Sequence, residues 1–324
     1  PVVNAKGSAG QSSVGYQGAR DAEPTDVRRR LFMLAGLRRW VGKCLMRLPS
    51  YGIARAQYQA ALETAWLMTI ALDPRCQDPR RLIRYRGSMN SQNDEDGIIH
   101  EIFRRVGATG RVFVEIGVGD GFENNTAFLA SMGWRGYWVD ASAECLGALE
   151  RHHLLRERVK AKIAFVDGGN VGAILGEMGV PREFDFLSVD VDYGTYHVWK
   201  GLREYRPRVA CIEYNAHAGP SCPWVVPECS RTTWDSSRCY GASLKALELL
   251  GDEMGYALVG CDFCGVNSFF VRKDLLGDRF VEPFTSENHY EPPRLFGNVC
   301  WPAFHRSWVS AGVATGQFET NAER

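Results

Sequence analysis

From residue 112 onward, short apolar runs alternate with stretches whose apolar residues recur at helical spacing. VFVEIGV reads as a strand and NNTAFLASMG as a helix; GYWVDAS is the next strand and ECLGALERHHLL its helix. The strands AKIAFVD, FDFLSVDVD and RVACIEYN follow. Strands alternating with helices at this spacing predict an α/β fold, a parallel sheet with helices on both faces. Near the end, YALVGCDFCGVNSFFVRKDL reads as two strands joined by CGVN, a hairpin that makes the sheet mixed. Before residue 112, EDGIIHEIFRRVG predicts a helix, and so do residues 53–72, which the prolines of DPRCQDP terminate.

The N-terminal part is different in kind. Residues 1–25 are rich in Gly, Ser, Ala and Gln, which predicts a disordered tail. Residues 27–48 place Leu31, Leu34, Leu37, Trp40, Val41, Cys44 and Leu48 on one helical face opposite a basic one. Such a helix fits a membrane surface or a partner, or packs on the domain or a sister subunit of a homo-oligomer. The expected organisation is a tail (1–25), a helical extension (26–87), a main domain (88–276) with an insertion (216–243), and a C-terminal extension packed on the domain (277–324).

The composition narrows the classes. Lys plus Arg and Asp plus Glu both count 38, so a nucleic-acid partner is not expected. No run is long enough for a membrane span, and no signal peptide opens the chain. Ten scattered cysteines suit a reducing, cytoplasmic setting.

The first strand runs into Gly117, Gly119 and Gly121. The dinucleotide fingerprint G-x-G-x-x-G is not completed, and no lysine between Gly121 and Lys160 can serve a phosphate loop. Asp120 and Glu123 would repel a pyrophosphate, whereas Glu115 and Asp120 suit a positively charged ligand such as S-adenosylmethionine. Asp140 closes GYWVD, where a carboxylate can accept both ribose hydroxyls, and Asp167 closes AKIAFVD, placed for an adenine amino group. Each acid alone reads equally as a helix cap or a loop acid.

SQNDEDGIIHEIF, VFVEIGVGDGFENNTAFLASMGWRGYWVD, DFLSVDVDYGTYHVW, VACIEYN, YGASLKALELLGDEMGYALVG and GVNSFFVRKDL, taken in order over residues 88–276, resemble class I S-adenosylmethionine-dependent methyltransferases, and more narrowly the FkbM-like group. The resemblance implies a Rossmann-like, seven-stranded mixed sheet whose last strand is reversed. It implies that Glu115, Gly117, Gly119, Asp120, Thr126, Asp140, Ala141, Asp167 and Asp190 line the cofactor, with Ser91 and Gln92 over its methionine end. Asp190, Glu213 and Asn215 look like the Mg²⁺ ligands of catechol-type O-methyltransferases, although Tyr214 separates the last two. The competing reading has Asp190 and Asp192 bonding the methionine ammonium and the acceptor directly.

His217, His197 and Asp192 are the candidate bases, with Lys200 behind them. The 216–243 insertion is long enough to be a lid. Its Trp224, Trp234 and Tyr240, with Tyr214, are candidate acceptor contacts, or they pack the loop onto the domain. Cys222, Cys229 and Cys239, with Cys261-x-x-Cys264, raise a zinc or disulfide reading that a single C-x-x-C supports weakly. The fourth strand ends in VDVDYG, without the proline-rich motif of nucleic-acid amino-methyltransferases, which favours O-methylation. FkbM-like relatives imply a sugar, glycan or secondary-metabolite hydroxyl as acceptor. The rival classes are a nicotinamide-dependent oxidoreductase and a non-catalytic glycan-binding module on the same fold.

Overall fold

The computed structural model describes residues 49–228 and 238–294, with the backbone of residues 309–311 and 318–320. The expected tail and the basic helix at 27–48 lie outside the described residues, as do Trp234 and Cys229. The chain divides into two compact units at Ala60/Ala61. Helix α1 (Pro49–Leu72) runs across that boundary, starting four residues before the predicted 53. No described helix is long and apolar enough to cross a membrane.

In the second unit, α2 (Glu95–Val106) precedes β1 (Val112–Ile116), α3 (Ala127–Ser131), β2 (Arg135–Asp140), α4 (Glu144–Arg151), α5 (His153–Arg158) and β3 (Val159–Ile163). Then come α6 (Val171–Glu177), β4 (Glu183–Val189), α7 (Thr195–Gly201), β5 (Arg206–Glu213), α8 (Leu244–Glu253), β6 (Tyr256–Cys261), β7 (Asn267–Arg272) and the single turn α9 (Ser286–His289). One seven-stranded sheet has the order β3-β2-β1-β4-β5-β7-β6. The first five strands pair in parallel, and β7 is antiparallel to both β5 and β6. This is the Rossmann-like mixed sheet with a reversed strand that the alternation and the hairpin predict. A separate pair, β8 (Val309–Ala311) and β9 (Phe318–Thr320), is antiparallel.

Each face of the sheet carries its own core, as residues alternating along a strand require. Val114, Ile116, Leu187 and Ile212 pack with Val171 and Leu175 of α6, Val198 and Trp199 of α7, and Leu247 of α8. Phe113, Phe186, Cys211 and Phe269 pack on the other side with Ile98, Ile99 and Ile102 of α2, Leu129 of α3 and Ala148 of α4.

Three predicted elements differ from the structure. ECLGALERHHLL is two helices, because His152 takes an extended conformation (φ −115°, ψ 102°) that no helix continues through. The strand read in AKIAFVD ends at Ile163, leaving Asp167 four residues beyond it in a turn. The helix read in NNTAFLASMG starts only at Ala127, because Asn124, Asn125 and Thr126 are drawn inward by Glu115.

The segment before α2 is stitched to the domain. Leu82 and Ile83 are buried, and the Trp66 indole donates to the Ile83 carbonyl at 3.0 Å. Arg81 donates to the carbonyl and side-chain oxygens of Asn288, at 2.7 and 2.9 Å, which ties residues 277–294 to the same segment. Gly97, on α2, lies flat against residues 85–87, and a Cβ there would meet the Tyr85 carbonyl oxygen at 2.2 Å and the Gly87 nitrogen at 2.7 Å. Both obstacles are backbone, so neither yields cheaply. Gly97→Ala is expected to cost about 1–3 kcal/mol in denaturant unfolding, the range for overpacking a close contact.

Candidate functional site

The carboxyl ends of β1, β2, β4 and β5 meet at one edge of the sheet, where open α/β sheets bind ligands. The turn after β1 is built on three glycines in the left-handed region, Gly117 (φ 85°), Gly119 (φ 66°) and Gly121 (φ 77°). Their surroundings separate their roles. A Cβ on Gly117 would fall 1.6 Å from the Asp190 carbonyl oxygen, and one on Gly121 2.8 Å from the Ala148 Cβ. A Cβ on Gly119 would meet nothing within 4 Å. Gly117 and Gly121 therefore serve close packing, and Gly119 is the glycine that faces open space.

Asp140, at the end of β2, shapes this turn. Its Oδ2 accepts the Val118 and Gly119 N–H groups at 2.7 and 2.8 Å, and its Oδ1 accepts that of Ser142 at 2.6 Å. A carboxylate has about four acceptor sites, so three backbone bonds leave Oδ1 capacity for one further donor. Ala141 beside it is exposed, as are Asp120 and Gln92. Asp120 caps the turn through the Phe122 N–H at 3.0 Å. Ser91 is buried in a turn whose N–H groups, with those of Met89 and Asn90, converge on Asp96 Oδ2. Asp167 Oδ1 accepts the Gly169 and Asn170 N–H groups at 2.9 and 2.8 Å.

Glu115 and Thr126 differ from the expectation that they line a cofactor. Glu115 is buried and accepts the Asn125 N–H (2.9 Å), the Asn124 amide (2.7 Å) and the Thr126 hydroxyl (2.5 Å). Thr126 is fully buried, and its oxygen also accepts the Trp138 indole N–H at 2.8 Å. Both side chains are spent inside the protein. Burial pushes the Glu115 carboxyl up to about 8.

The structure brings Asp190 and Glu213 together. Asp190 follows β4 and Glu213 ends β5, in neighbouring registers, which brings their carboxyls close enough for each to act on the other. Two buried acids so placed favour a retained proton over two charges. Burial and the neighbouring Asp192 raise Asp190 to about 7, and burial with the charge of Asp190 raises Glu213. The Thr195 hydroxyl donates to Glu213 Oε2 at 3.3 Å. Asp192 is exposed and sits in the left-handed region at φ 56°. The Tyr240 hydroxyl faces the same group, raised by burial and by the charges of Glu213, Asp190 and Asp192.

Other predicted site residues lie elsewhere or are committed. Asn215 is buried, donates its amide to the Arg238 and Tyr240 carbonyls at 2.7 and 2.9 Å, and accepts the His217 N–H. An amide so used braces the insertion, and its oxygen already has a donor in front of it. Tyr214 is in the core, its hydroxyl on the Glu291 carbonyl at 2.7 Å, so it presents no surface to an acceptor. Trp224 is buried with Tyr193 and Val226, as in the packing reading of the loop. The His197 ring bonds the Val226 carbonyl at 2.9 Å and lies 4.0 Å from Glu228, holding the insertion's first strand-like stretch. His217 is half-buried, and desolvation with Arg238 nearby lowers its pKa, which keeps the ring neutral. Lys200 is half-buried on α7. Cys222, Cys261 and Cys264 are free thiols, Cys222 exposed and the other two buried.

No family model matches this chain, and no curated protein does. Solved structures that it is similar to include the N-terminal domain of EvdMO1 with SAH bound, at 16% identity over 56% of this chain and 80% of that one (TM-score 0.37). A SAM-dependent methyltransferase from Aquifex aeolicus is 15% identical over 54% and 89% (TM-score 0.31). An O-methyltransferase from Bacillus cereus in complex with SAH is 18% identical over 57% and 74% (TM-score 0.29). Likeness at this level carries no function across, so the chain's own residues must.

Glu115 binds its proton more tightly in the folded state (about 8) than at its ordinary value of 4.5. Its share of stability is therefore full below pH 4.5 and is lost as pH rises through about 8. The melting temperature is expected to fall across that window. Glu115→Gln, which cannot ionise, flattens the slope; an unchanged slope in thermal melts from pH 5 to 8 contradicts the buried neutral carboxyl.

Proposed function

We propose that the chain is an S-adenosylmethionine-dependent O-methyltransferase acting on a hydroxyl of a sugar, glycan or secondary metabolite. One observation carries the reading. The glycine turn opens at Gly119 onto a sheet edge that gathers carboxyls: Asp120, Asp140, Asp190, Asp192 and Glu213. A pyrophosphate would bring negative charge against them, whereas a ligand with a sulfonium and an ammonium brings positive charge. That balance disfavours a nicotinamide dinucleotide.

The backbone at Gly117 and Gly119 would hold this cofactor, with Asp140 for the ribose, Ala141 and Asp167 for the adenosine end, and Gln92, Asp120 and Asp190 near the methionine end. Glu115 and Thr126 contribute by fixing the turn. When bound, the cofactor supplies a methyl group on a cationic sulfur, open to in-line attack. What remains for the protein is to align the acceptor oxygen and remove its proton.

Asp190, paired with Glu213 and titrating about 7, is suited to take that proton at neutral pH. His217, held neutral, is the second acceptor, with Asp192 at the exposed rim. With the Asn215 amide already committed, Mg²⁺ would be left Asp190 and Glu213, and would have to displace the proton they retain. Proton removal by the carboxyl pair is therefore preferred over metal activation. Tyr240, near enough to feel the charges of these acids, favours contact with the acceptor.

S-adenosylhomocysteine is expected to raise the melting temperature and NAD to leave it unchanged; stabilisation by NAD alone overturns the proposal. Asp140→Ala should abolish that stabilisation. Asp190→Asn should retain it and lower kcat by roughly 10²–10⁴-fold, the usual weight of a general base. Because the base acts deprotonated, kcat/KM should rise as pH increases through about 7 and level off above it. EDTA should not alter turnover; loss with EDTA and recovery with Mg²⁺ would restore the metal reading.

A further inference from the structure

A second group of acids lies outside the edge just described. Asp94 precedes α2, and Asp262 and Cys264 lie in the turn between β6 and β7. Each offers one ligand atom, and the three atoms are all within 4.8 Å of one another. Asp94, Asp262 and Cys264 are almost completely buried, at 1%, 0% and 1% exposure.

The charges around them do not balance. Asp94, Glu95 and Asp262 are all buried, and of the three Asp94 is paired with Arg86, whose Nε meets Asp94 Oδ2 at 2.8 Å. Arg86 is also shared with Glu63. Asp262 is satisfied by the N–H groups of Val266, Asn267 and Cys264. Asp94 Oδ1 is buried with no hydrogen-bond partner, and so is Oδ1 of Asn267, whose own N–H meets Asp262 at 2.6 Å. Unpartnered buried oxygens are costly as they stand. A cation bound among Asp94, Asp262 and Cys264 would give the Asp94 carboxyl the partner it lacks.

We propose that Asp94, Asp262 and Cys264 hold one divalent transition-metal ion, zinc by the chemistry of the donors, which fastens the β6–β7 hairpin to the start of α2. Two carboxylate oxygens and a thiolate suit zinc better than magnesium or calcium, which take oxygen alone. Loading releases the Cys264 thiol proton to solvent, so affinity rises with pH. Cys261, the other half of the C-x-x-C, is not one of the three clustered ligands. The site is structural, and its three ligands are not those of the Asp190–Glu213 pair, although Glu95 lies near enough to act on both Asp262 and Asp190.

The test is elemental analysis and cobalt substitution on the full chain, purified without chelators. Expected are about one equivalent of zinc per chain, as a closed structural site holds, and a lower melting temperature after chelation that added Zn²⁺ reverses. Cobalt should give a thiolate-to-metal charge-transfer band in the near ultraviolet. Cys264→Ser should lose the band, and Asp94→Asn should weaken metal retention while circular dichroism remains native. Asp190→Asn should keep the ion, which separates this site from the catalytic edge. Protein without stoichiometric metal and without a cobalt band overturns the proposal, as does a band that persists in Cys264→Ser. If Cys264→Ser does not fold, unaltered zinc retention in folded Asp94→Asn overturns it equally.

Discussion

Glu115 sits on β1, an interior strand of the sheet between β2 and β4, and its carboxyl is the knot from which the candidate site is tied. Three groups of the following turn, from Asn124, Asn125 and Thr126, close on it, and Thr126 passes the connection on to the Trp138 indole in β2. The turn between Gly117 and Gly121 is thereby held at both ends, by Glu115 beyond it and by Asp140 across it. A loop so constrained pays little ordering entropy when a ligand arrives. The cost appears instead as a carboxyl kept neutral in the interior, which is tolerable only because its oxygens are hydrogen-bonded.

The same edge gathers further acids. Buried charges of one sign cannot all remain ionised, so protons are retained, and the raised carboxyls of Asp190 and Glu213 are the local result. That state stores a readily exchanged proton where a hydroxyl acceptor would need to lose one. It also makes the edge hospitable to a cation, which ties the electrostatics of donor recognition to the chemistry proposed for the acceptor. On the far side of Asn267, the turn at Asp262 and Cys264 has the same surplus without access to solvent. There an ion, rather than a passing ligand, is the economical remedy.

How far this could be read from the residues depends on the distance over which the cause acts. The sheet was legible because apolar alternation and the hairpin at CGVN are local, and the structure follows them. The glycine turn was legible too, although spacing alone does not distinguish Gly119, open on one side, from Gly117 and Gly121, filled by neighbours. Glu115 and Thr126 look from the sequence like ligand contacts, since nothing local reveals that Trp138, on the next strand, completes their hydrogen bonds. Asn215 and His197 mislead for a related reason. Their partners, Arg238, Tyr240 and Val226, belong to an insertion whose path no periodicity describes. The pairing of Asp190 with Glu213 follows from strand order, and the FDFLSVDVD and RVACIEYN endings were its visible trace.

The contact between Gly117 and the Asp190 backbone has a consequence for how such a chain can diversify. With 1.6 Å between a notional Cβ and that carbonyl, the glycine turn and the strand bearing the acid pair cannot shift independently. Half of the candidate site is in effect one rigid casting, whose dimensions are set by the sheet. If the proposed function holds, a change of acceptor would leave that casting alone and fall on the insertion beginning at Ala216, which it touches through Asn215.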